Sequence, residues 1–330
     1  MKNKTKIILV LLAVGILFLL TYFLLNTKRE YTKNLYYMDT YIYVKIYEKA
    51  NDAANKALTE IENIYREYHE LTDRYNHYDG VINIYDIYHN NLDSDTLTLD
   101  SKLYDILVFA DSWNKVHDKL NIEIGSIIDI WKKYRDLENG IPTKEELEEK
   151  KIITNLVLLG DNQILNNHPN LDLGSIAKGY ATEQAGNYLE SIGIKEYLIN
   201  AGGNVKVGNS YQKENYKIGI QSPVESDELM TIINGKNISV ISSGGYERNY
   251  QYNGKIYHHI IDPETLFPAN YVKGVTVITQ NSAIGDALST ILFLMSVDEG
   301  QELIKNYDAE AIWYTNDNII IRSENFNQYE

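Results

Sequence analysis

Asp286 and Thr290 occupy the run Gly285-Asp286-Ala287-Leu288-Ser289-Thr290. A separation of four residues puts a carboxylate and a hydroxyl on one face of a helix. That pair suits a hard cation such as Mg²⁺, which takes oxygen ligands and keeps waters or phosphate oxygens. The surrounding positions Ile284, Ala287, Leu288, Ile291, Leu292, Phe293 and Met295 are apolar, and an acid embedded among them requires a partner. The competing reading is an acid in a first helical turn that completes the helix dipole. A second candidate is His258-His259-Ile260-Ile261-Asp262-Pro263. Read as a strand, it turns adjacent histidines to opposite faces, so at most one serves a given pocket. Such a histidine can take a proton from a hydroxyl nucleophile, or both can be partly exposed and inert. Zinc is disfavoured, because neither H-x-x-x-H spacing nor cysteine is present.

Three glycine-bearing stretches accompany these residues. Leu171-Asp172-Leu173-Gly174-Ser175-Ile176-Ala177-Lys178-Gly179-Tyr180 places small residues at a helix entrance, where free N–H groups and the dipole favour phosphate. Gly174 and Gly179 have P-loop spacing, but Tyr180 stands where Lys is needed, so a P-loop is rejected. Asn200-Ala201-Gly202-Gly203-Asn204 permits positive φ and close backbone approach, as in a tight turn between strands. Ser242-Ser243-Gly244-Gly245-Tyr246-Glu247-Arg248 is a polar turn after a strand. The fingerprint G-x-G-x-x-G is absent, which removes the main support for a Rossmann fold.

These segments need a scaffold, and the pattern of the chain supplies one. Tyr41–Tyr47 is β-branched and aromatic and reads as a strand. Ala54, Ala57, Leu58, Ile61, Ile64, Tyr65, Tyr68 and Leu71 follow helical spacing, as do Leu103, Ile106, Leu107, Ala110 and Trp113. Thr143 with Glu146 predicts a capped, charged surface helix. Residues 177–192 read as a helix ended by Gly193, and residues 282–295 as another. Strands are expected at 197–199, 205–207, 216–220, 239–241 and 275–278, with a final hairpin from 311–314 and 319–321. Strands in runs with helices between them predict an α+β fold, a single large domain with a mostly antiparallel sheet and packed helices.

Composition narrows the function classes. The 330 residues include 31 Lys+Arg against 46 Asp+Glu, a net charge of −15. That excess of acid argues against nucleic-acid binding. With no cysteine, disulfides, thiol nucleophiles and Cys-ligated metals are excluded. Residues Ile7 to Leu25 carry no charge; Lys2, Lys4 and Lys6 precede them and Lys28 and Arg29 follow. A run of about 20 apolar residues spans a bilayer. No Ala-x-Ala exit follows, so an uncleaved N-terminal transmembrane helix is favoured over a signal peptide. The charge balance leans towards a cytoplasmic N-terminus and an extracytoplasmic body. The expected division is an anchor and short linker over 1–32 and a catalytic body over 33–330.

Taken in order, these stretches resemble the ApbE-type FAD:protein FMN transferases from about Met38 to Val297. Met38-Asp39-Thr40 is similar to the family's Met-Gly-Thr motif, with Asp replacing Gly. Thr72-Asp73-Arg74-Tyr75-Asn76 resembles its Ser-x-[Phe/Tyr]-Asn turn. Leu120-Asn121-Ile122-Glu123-Ile124-Gly125, followed by Asp129-Ile130-Trp131, resembles its Phe-Asp-Ile-x-x-Gly…Leu-Trp stretch. The segments at Leu171–Tyr180, Asn200–Asn204, Ser243–Tyr246, His259–Pro263 and Asp286–Thr290 complete the series. The resemblance implies Mg²⁺-dependent transfer of the FMN moiety of FAD to a Ser or Thr hydroxyl of an acceptor flavoprotein, with release of AMP. It implies metal ligation by Asp286, Thr290 and the Ser175 carbonyl. It places Met38, Tyr75, Leu120, Asn121, Asp172, Lys178 and His259 at the FAD, with His259 as base for the acceptor hydroxyl. Departures are Leu266 where many members have Gly, Asn121 for a frequent Asp and Ser126 for a frequent Pro. Two rivals share these residues: an FAD pyrophosphatase that uses water, and a membrane-tethered FAD-binding protein without turnover.

Overall fold

The computed structural model describes residues 6–9, 11–18, 27–152, 154–212, 214–224, 228–246 and 248–330. The strands are β1 (Arg29–Tyr37), β2 (Thr40–Glu48), β3 (Thr96–Thr98), β4 (Leu158–Gly160), β5 (Gln163–Leu165), β6 (Tyr197–Ala201), β7 (Asn204–Val207) and β8 (Tyr216–Gln221). They continue with β9 (Leu229–Gly235), β10 (Ile238–Gly244), β11 (Asn249–Tyr252), β12 (Lys255–His258), β13 (Val272–Thr279), β14 (Ala309–Thr315) and β15 (Ile320–Arg322). The labelled helices are α1 (Asn51–Thr72), α2 (Ile84–His89), α3 (Ser101–Val116), α4 (Gly125–Leu137), α5 (Lys144–Lys150), α6 (Ala177–Ser191), α7 (Ser282–Phe293) and α8 (Val297–Ile304).

Eight strands form one sheet in the order β1-β2-β6-β7-β10-β13-β14-β15. Every neighbouring pair in it is antiparallel, as the α+β reading expects. Two hairpins fix its register through residues with positive φ. Met38 and Asp39 lie at φ 54° and 55° between β1 and β2. This is the two-residue turn that matches strand twist, and it explains why glycine suits the Asp39 position. Gly202 and Gly203, at φ 57° and 85°, turn β6 into β7. A Cβ on Gly202 would lie 2.0 Å from Thr40 Oγ1, so this turn also needs glycine for a close approach.

One face of the sheet is covered by helices. The buried stripe Ala54, Ala57, Leu58, Ile61, Tyr65, Tyr68 and Leu71 seats α1 against β1, β2 and α6, and α7 lies across β10 and β13. On the other face, Val207, Ile218, Ile220, Ile238, Val240 and Ile278 pack under the β8–β9 hairpin. Coverage on both sides explains why β13 is buried at nearly every position and reads as a continuous apolar run. Buried tyrosine adds a specific tie: Tyr65 OH lies 2.8 Å from Thr182 Oγ1, joining α1 to α6.

Several expectations change. The body begins ahead of Lys33, because β1 starts at Arg29 and pairs along the whole of β2. Only half of the capping box at Thr143 forms: its side chain accepts from the Glu146 N–H, while the Glu146 carboxylate accepts from Tyr134 OH. Of the expected span over 7–25, residues 7–9 and 11–18 are helical and exposed, and residues 10 and 19–25 lie outside the described residues. Among the described residues no helix is long and apolar enough to cross a membrane.

Candidate functional site

Asp286 sits in the second turn of α7, 5% exposed. Its Oδ2 accepts a hydrogen bond from the Gly179 N–H at 2.7 Å. Gly179 belongs to the first turn of α6, whose N-cap Ile176 offers no side-chain cap. The carboxylate of one helix therefore caps another, and the dipole partner expected for Asp286 is α6 rather than its own helix. Glycine is required there: a Cβ at 179 would come within 2.4 Å of Asp286 Cβ and 2.5 Å of the Ser282 carbonyl oxygen. Burial pushes the Asp286 carboxyl above its ordinary range, while the Lys178 charge and the Gly179 amide pull the other way. A buried acid in this state gains from a cation.

Gly179 opposite Asp286 fixes the register of the antiparallel α6–α7 pair. Carried one turn further, that register sets Thr290, half-buried, towards the turn holding Ser175 just ahead of α6. The three oxygens implied as metal ligands are thus carried by α7 and by the turn that leads into α6. Ser289 Oγ donates to the Asp286 carbonyl at 3.0 Å and lies 2.9 Å from Ser243 Oγ, which ties the Ser243–Tyr246 stretch to the same helix. Among the described residues no group of three His, Cys, Asp or Glu could hold a metal. The Ser175, Asp286 and Thr290 set contains a single acid and is of a different kind, built mainly on neutral oxygens. A carboxylate, a hydroxyl and a carbonyl fit Mg²⁺, which completes its shell with water or phosphate oxygens.

His259 lies in a bend just past β12, not within the strand as expected, so strand alternation does not apply to it. The two histidines still face different surroundings. His258 Nδ1 accepts from the Ile260 N–H at 3.2 Å, which leaves Nε2–H to donate to the Ala269 carbonyl at 2.8 Å. It is a neutral structural residue, held below its ordinary pKa by burial. His259 is half-buried as a whole, but its Nδ1 is fully enclosed with no hydrogen-bond partner among the described residues. Burial first, then the charges of Lys178 and Arg248, lower its pKa to about 3. Lys178 thus acts on both Asp286 and His259, which places all three in one field.

A second group forms around Arg74, which the sequence reading left without a role. Its Nε donates to the Leu171 carbonyl at 3.0 Å, its two Nη atoms reach Asp129 at 2.6 and 3.0 Å, and Nη2 reaches Asn170 Oδ1 at 2.7 Å. Asp172 lies 3.7 Å from Nε. Burial works against this charge, and Asp172 and Asp129 more than offset it. Asp172 N–H donates to the Ile122 carbonyl, and Asn121 Oδ1 accepts from the Glu123 N–H. Arg74 therefore gathers the turns bearing Tyr75, Asn121 and Asp172. Gly125 allows it, since a Cβ there would lie 2.6 Å from Arg74 Nη2. The only signal in the sequence was one basic residue in a polar turn after a long helix.

Tyr75 projects outward, 44% exposed, with Arg74 and Lys132 against its ring. Met38 is half-buried between two core clusters, its N–H donating to His69 Nδ1 at 3.3 Å. Leu120 is 1% exposed and part of the core, so its side chain shapes the loop from beneath. Leu266, in place of glycine, takes φ 63°. Its buried side chain and its carbonyl, which accepts from Trp131 Nε1 at 2.8 Å, hold a conformation that ordinarily favours glycine.

A cleft of about 980 Å³ is lined by Lys119, Glu264, Tyr271, Glu299 and Glu302 and contains none of these site residues. Several of its charges are paired: Lys119 with Asp262 and Glu264, and Glu299 within the capping box of α8.

Comparison with known proteins converges on one family. The model of the ApbE family matches residues 38–313. A protein of Klebsiella pneumoniae (strain 342) named FAD:protein FMN transferase is 30% identical over 239 residues, 69% of this chain and 73% of that protein. One of the same name from Haemophilus influenzae is 28% identical, over 67% of this chain and 66% of that protein. Among solved structures, the ApbE protein of Thermotoga maritima superposes with a TM-score of 0.81 at 25% identity, covering 92% of this chain and 99% of that one. The flavin transferase ApbE of Vibrio cholerae shares the fold, with a TM-score of 0.76 at 23% identity over 92% of this chain and all of that one.

Proposed function

Since the chain belongs to the ApbE family, we propose that it is an FAD:protein FMN transferase, in which the α6–α7 end binds Mg²⁺ and FAD and passes the FMN moiety to a Ser or Thr hydroxyl of an acceptor flavoprotein. The observation that carries this reading is the buried Asp286 carboxylate capping α6 beside Lys178. One carboxylate oxygen holds the Gly179 amide, which leaves the other to a cation. Thr290 Oγ1 and the Ser175 carbonyl complete a set of hard oxygen donors. Mg²⁺ bound there supplies charge neutralisation to the pyrophosphate and to the departing AMP oxygen.

The chain's own groups do the rest. Lys178 adds positive charge where negative charge develops. The acceptor oxygen forms a bond to the FMN phosphorus while the bond from that phosphorus to the AMP oxygen breaks, and the hydroxyl proton goes to His259. Its Nδ1 is enclosed, which leaves Nε2 as the ring nitrogen that can face the acceptor, and the neutral ring keeps a lone pair available. Tyr75, flanked by two cations, offers a face for stacking a ring of FAD. Arg74 sets the turns of Asn121 and Asp172 beside it; Met38 and the Leu120 backbone border them. The N-terminal apolar run is read as a membrane anchor with the body outside, supported by exposed Ile7, Leu12, Ile16 and Phe18 on a helical stretch.

The test is incubation of the full chain with FAD, Mg²⁺ and an acceptor bearing a Ser/Thr flavinylation site. The expected result is protein-bound flavin fluorescence equal to AMP released. Free FMN in place of bound flavin would make the enzyme a pyrophosphatase, and FAD bound without AMP would make it a carrier.

A further inference from the structure

The α6–α7 contact has a second rung. Gly179 and Glu183 lie on one face of α6, and Ser282 and Asp286 on one face of α7, each pair four residues apart. Gly179 meets Asp286; Glu183 meets Ser282, its Oε2 accepting the Ser282 N–H at 2.7 Å. Ser282 is the first residue of α7, so this bond satisfies an N–H that the helix leaves unpaired and puts negative charge at its positive end. The same Oε2 accepts from Lys206 Nζ at 2.9 Å. Lys206 also donates to the Gln280 carbonyl at 3.0 Å, just ahead of the helix. Ser282 Oγ donates to Asn204 Oδ1 at 2.6 Å.

All of these groups are enclosed: Glu183 is 9% exposed, Lys206 6%, Asn204 1% and Ser282 fully buried. The room for the lysine is made by Gly186, where a Cβ would lie 2.5 Å from Lys206 Cε. A buried ion pair is weak evidence of stabilisation, since desolvation costs about as much as the attraction returns. Its geometry is specific all the same. It grips the backbone on both sides of the α7 start, one turn from the residue that carries the carboxylate.

We propose that Glu183 is a positioning residue for the Mg²⁺ end of the site: paired with Lys206, it fixes the Ser282 amide and so the helix register that brings Asp286 and Thr290 to the start of α6. This rests on the reading of Asp286 and Thr290 as metal ligands. Groups that orient ligands without touching the metal commonly govern affinity by 10- to 100-fold, an order-of-magnitude range of about one to two decades.

The experiment measures Mn²⁺ binding to the full chain in detergent by electron paramagnetic resonance, beside the thermal midpoint. Two neutral replacements of the pair are compared. Glu183→Gln with Lys206→Met keeps an acceptor for the Ser282 N–H; Glu183→Met with Lys206→Met does not. The expected result is near wild-type Mn²⁺ affinity in the first and a loss of roughly 10-fold or more in the second, at matching midpoints. Glu183→Asp keeps the charge opposite Lys206 but shortens the reach to Ser282, and the same loss is expected there with the ion pair intact. Equal affinities in the two double variants would overturn the proposal, as would a loss that only tracks a lower midpoint. Wild-type chain whose Mn²⁺ binding is absent, or insensitive to Asp286→Ala, would overturn the metal reading itself and the proposal with it.

Discussion

At the scale of single residues the site depends on what burial does to two ionisable groups. His259 carries a pKa of about 3 because burial, Lys178 and Arg248 all oppose its protonation. In the free enzyme it is therefore neutral throughout the physiological range. The pH profile of kcat/KM, which reports the free enzyme, should show no inflection from His259 between about pH 5 and about pH 8. An unperturbed imidazole would give a rise near pH 6.5, its reference value of roughly 6.5; finding that rise would place His259 in a wetter setting than the structure gives it. His259→Asn should retain FAD binding and slow transfer by roughly 10²–10⁴-fold if the ring is the base. A loss of FAD affinity as large as the loss of rate would make it a binding group only. His258→Asn is not a silent comparison, because both ring nitrogens of His258 are bonded to backbone. Its expected effect is a lower thermal midpoint.

Elements decide whether these residues meet. The helices of residues 51–72, 101–116, 177–191 and 282–293 were legible as apolar stripes, and the turn at Gly202-Gly203 as paired glycines. Strand β1 was not, because its sequence Arg-Glu-Tyr-Thr-Lys-Asn-Leu-Tyr-Tyr is an edge strand with one buried residue, Leu35. Helix α4 was missed for a similar reason: its inward face is short and its first residues fit around Arg74 and Asn170. The motifs supplied the candidate residues, but the clustering of Tyr75, Asn121 and Asp172 depends on Arg74 reaching Leu171, 97 positions along the chain. No local pattern encodes such a closure. The clearest prediction at this scale concerns Gly179. A methyl at that position meets Asp286 Cβ and the Ser282 carbonyl inside contact distance, and backbone cannot yield as a side chain would. Gly179→Ala should cost about 1–3 kcal/mol of stability by overpacking. It should also weaken Mn²⁺ binding, because it pushes α7 away from the amide it caps. Unchanged midpoint and unchanged binding would show that the two helices can part at this contact without cost.

For the whole molecule, one antiparallel sheet carries α6 and α7 on one face, and the chain enters that sheet at Arg29, directly after the apolar segment. An anchor so close to β1 would hold the body against the bilayer, with a net charge of −15 that disfavours an anionic lipid surface. A tagged chain should fractionate with membranes, and protease added outside intact cells should remove the body. Protection from external protease would reverse the orientation, and a shortened chain in the soluble fraction would mean that the segment is cleaved. The central claim concerns the α6–α7 contact, where Asp286 caps α6 and is proposed to hold a cation. It is tested most directly by AMP release from FAD titrated with Mg²⁺, in wild type, Asp286→Asn and Thr290→Ala. Asn keeps an acceptor for the Gly179 N–H while removing the charge, so the helix contact survives the change. The account predicts Mg²⁺-dependent release in wild type that EDTA abolishes, near-complete loss in Asp286→Asn, and a milder loss in Thr290→Ala that higher Mg²⁺ restores, since water can replace a neutral hydroxyl. Full activity of Asp286→Asn at low Mg²⁺ would contradict it.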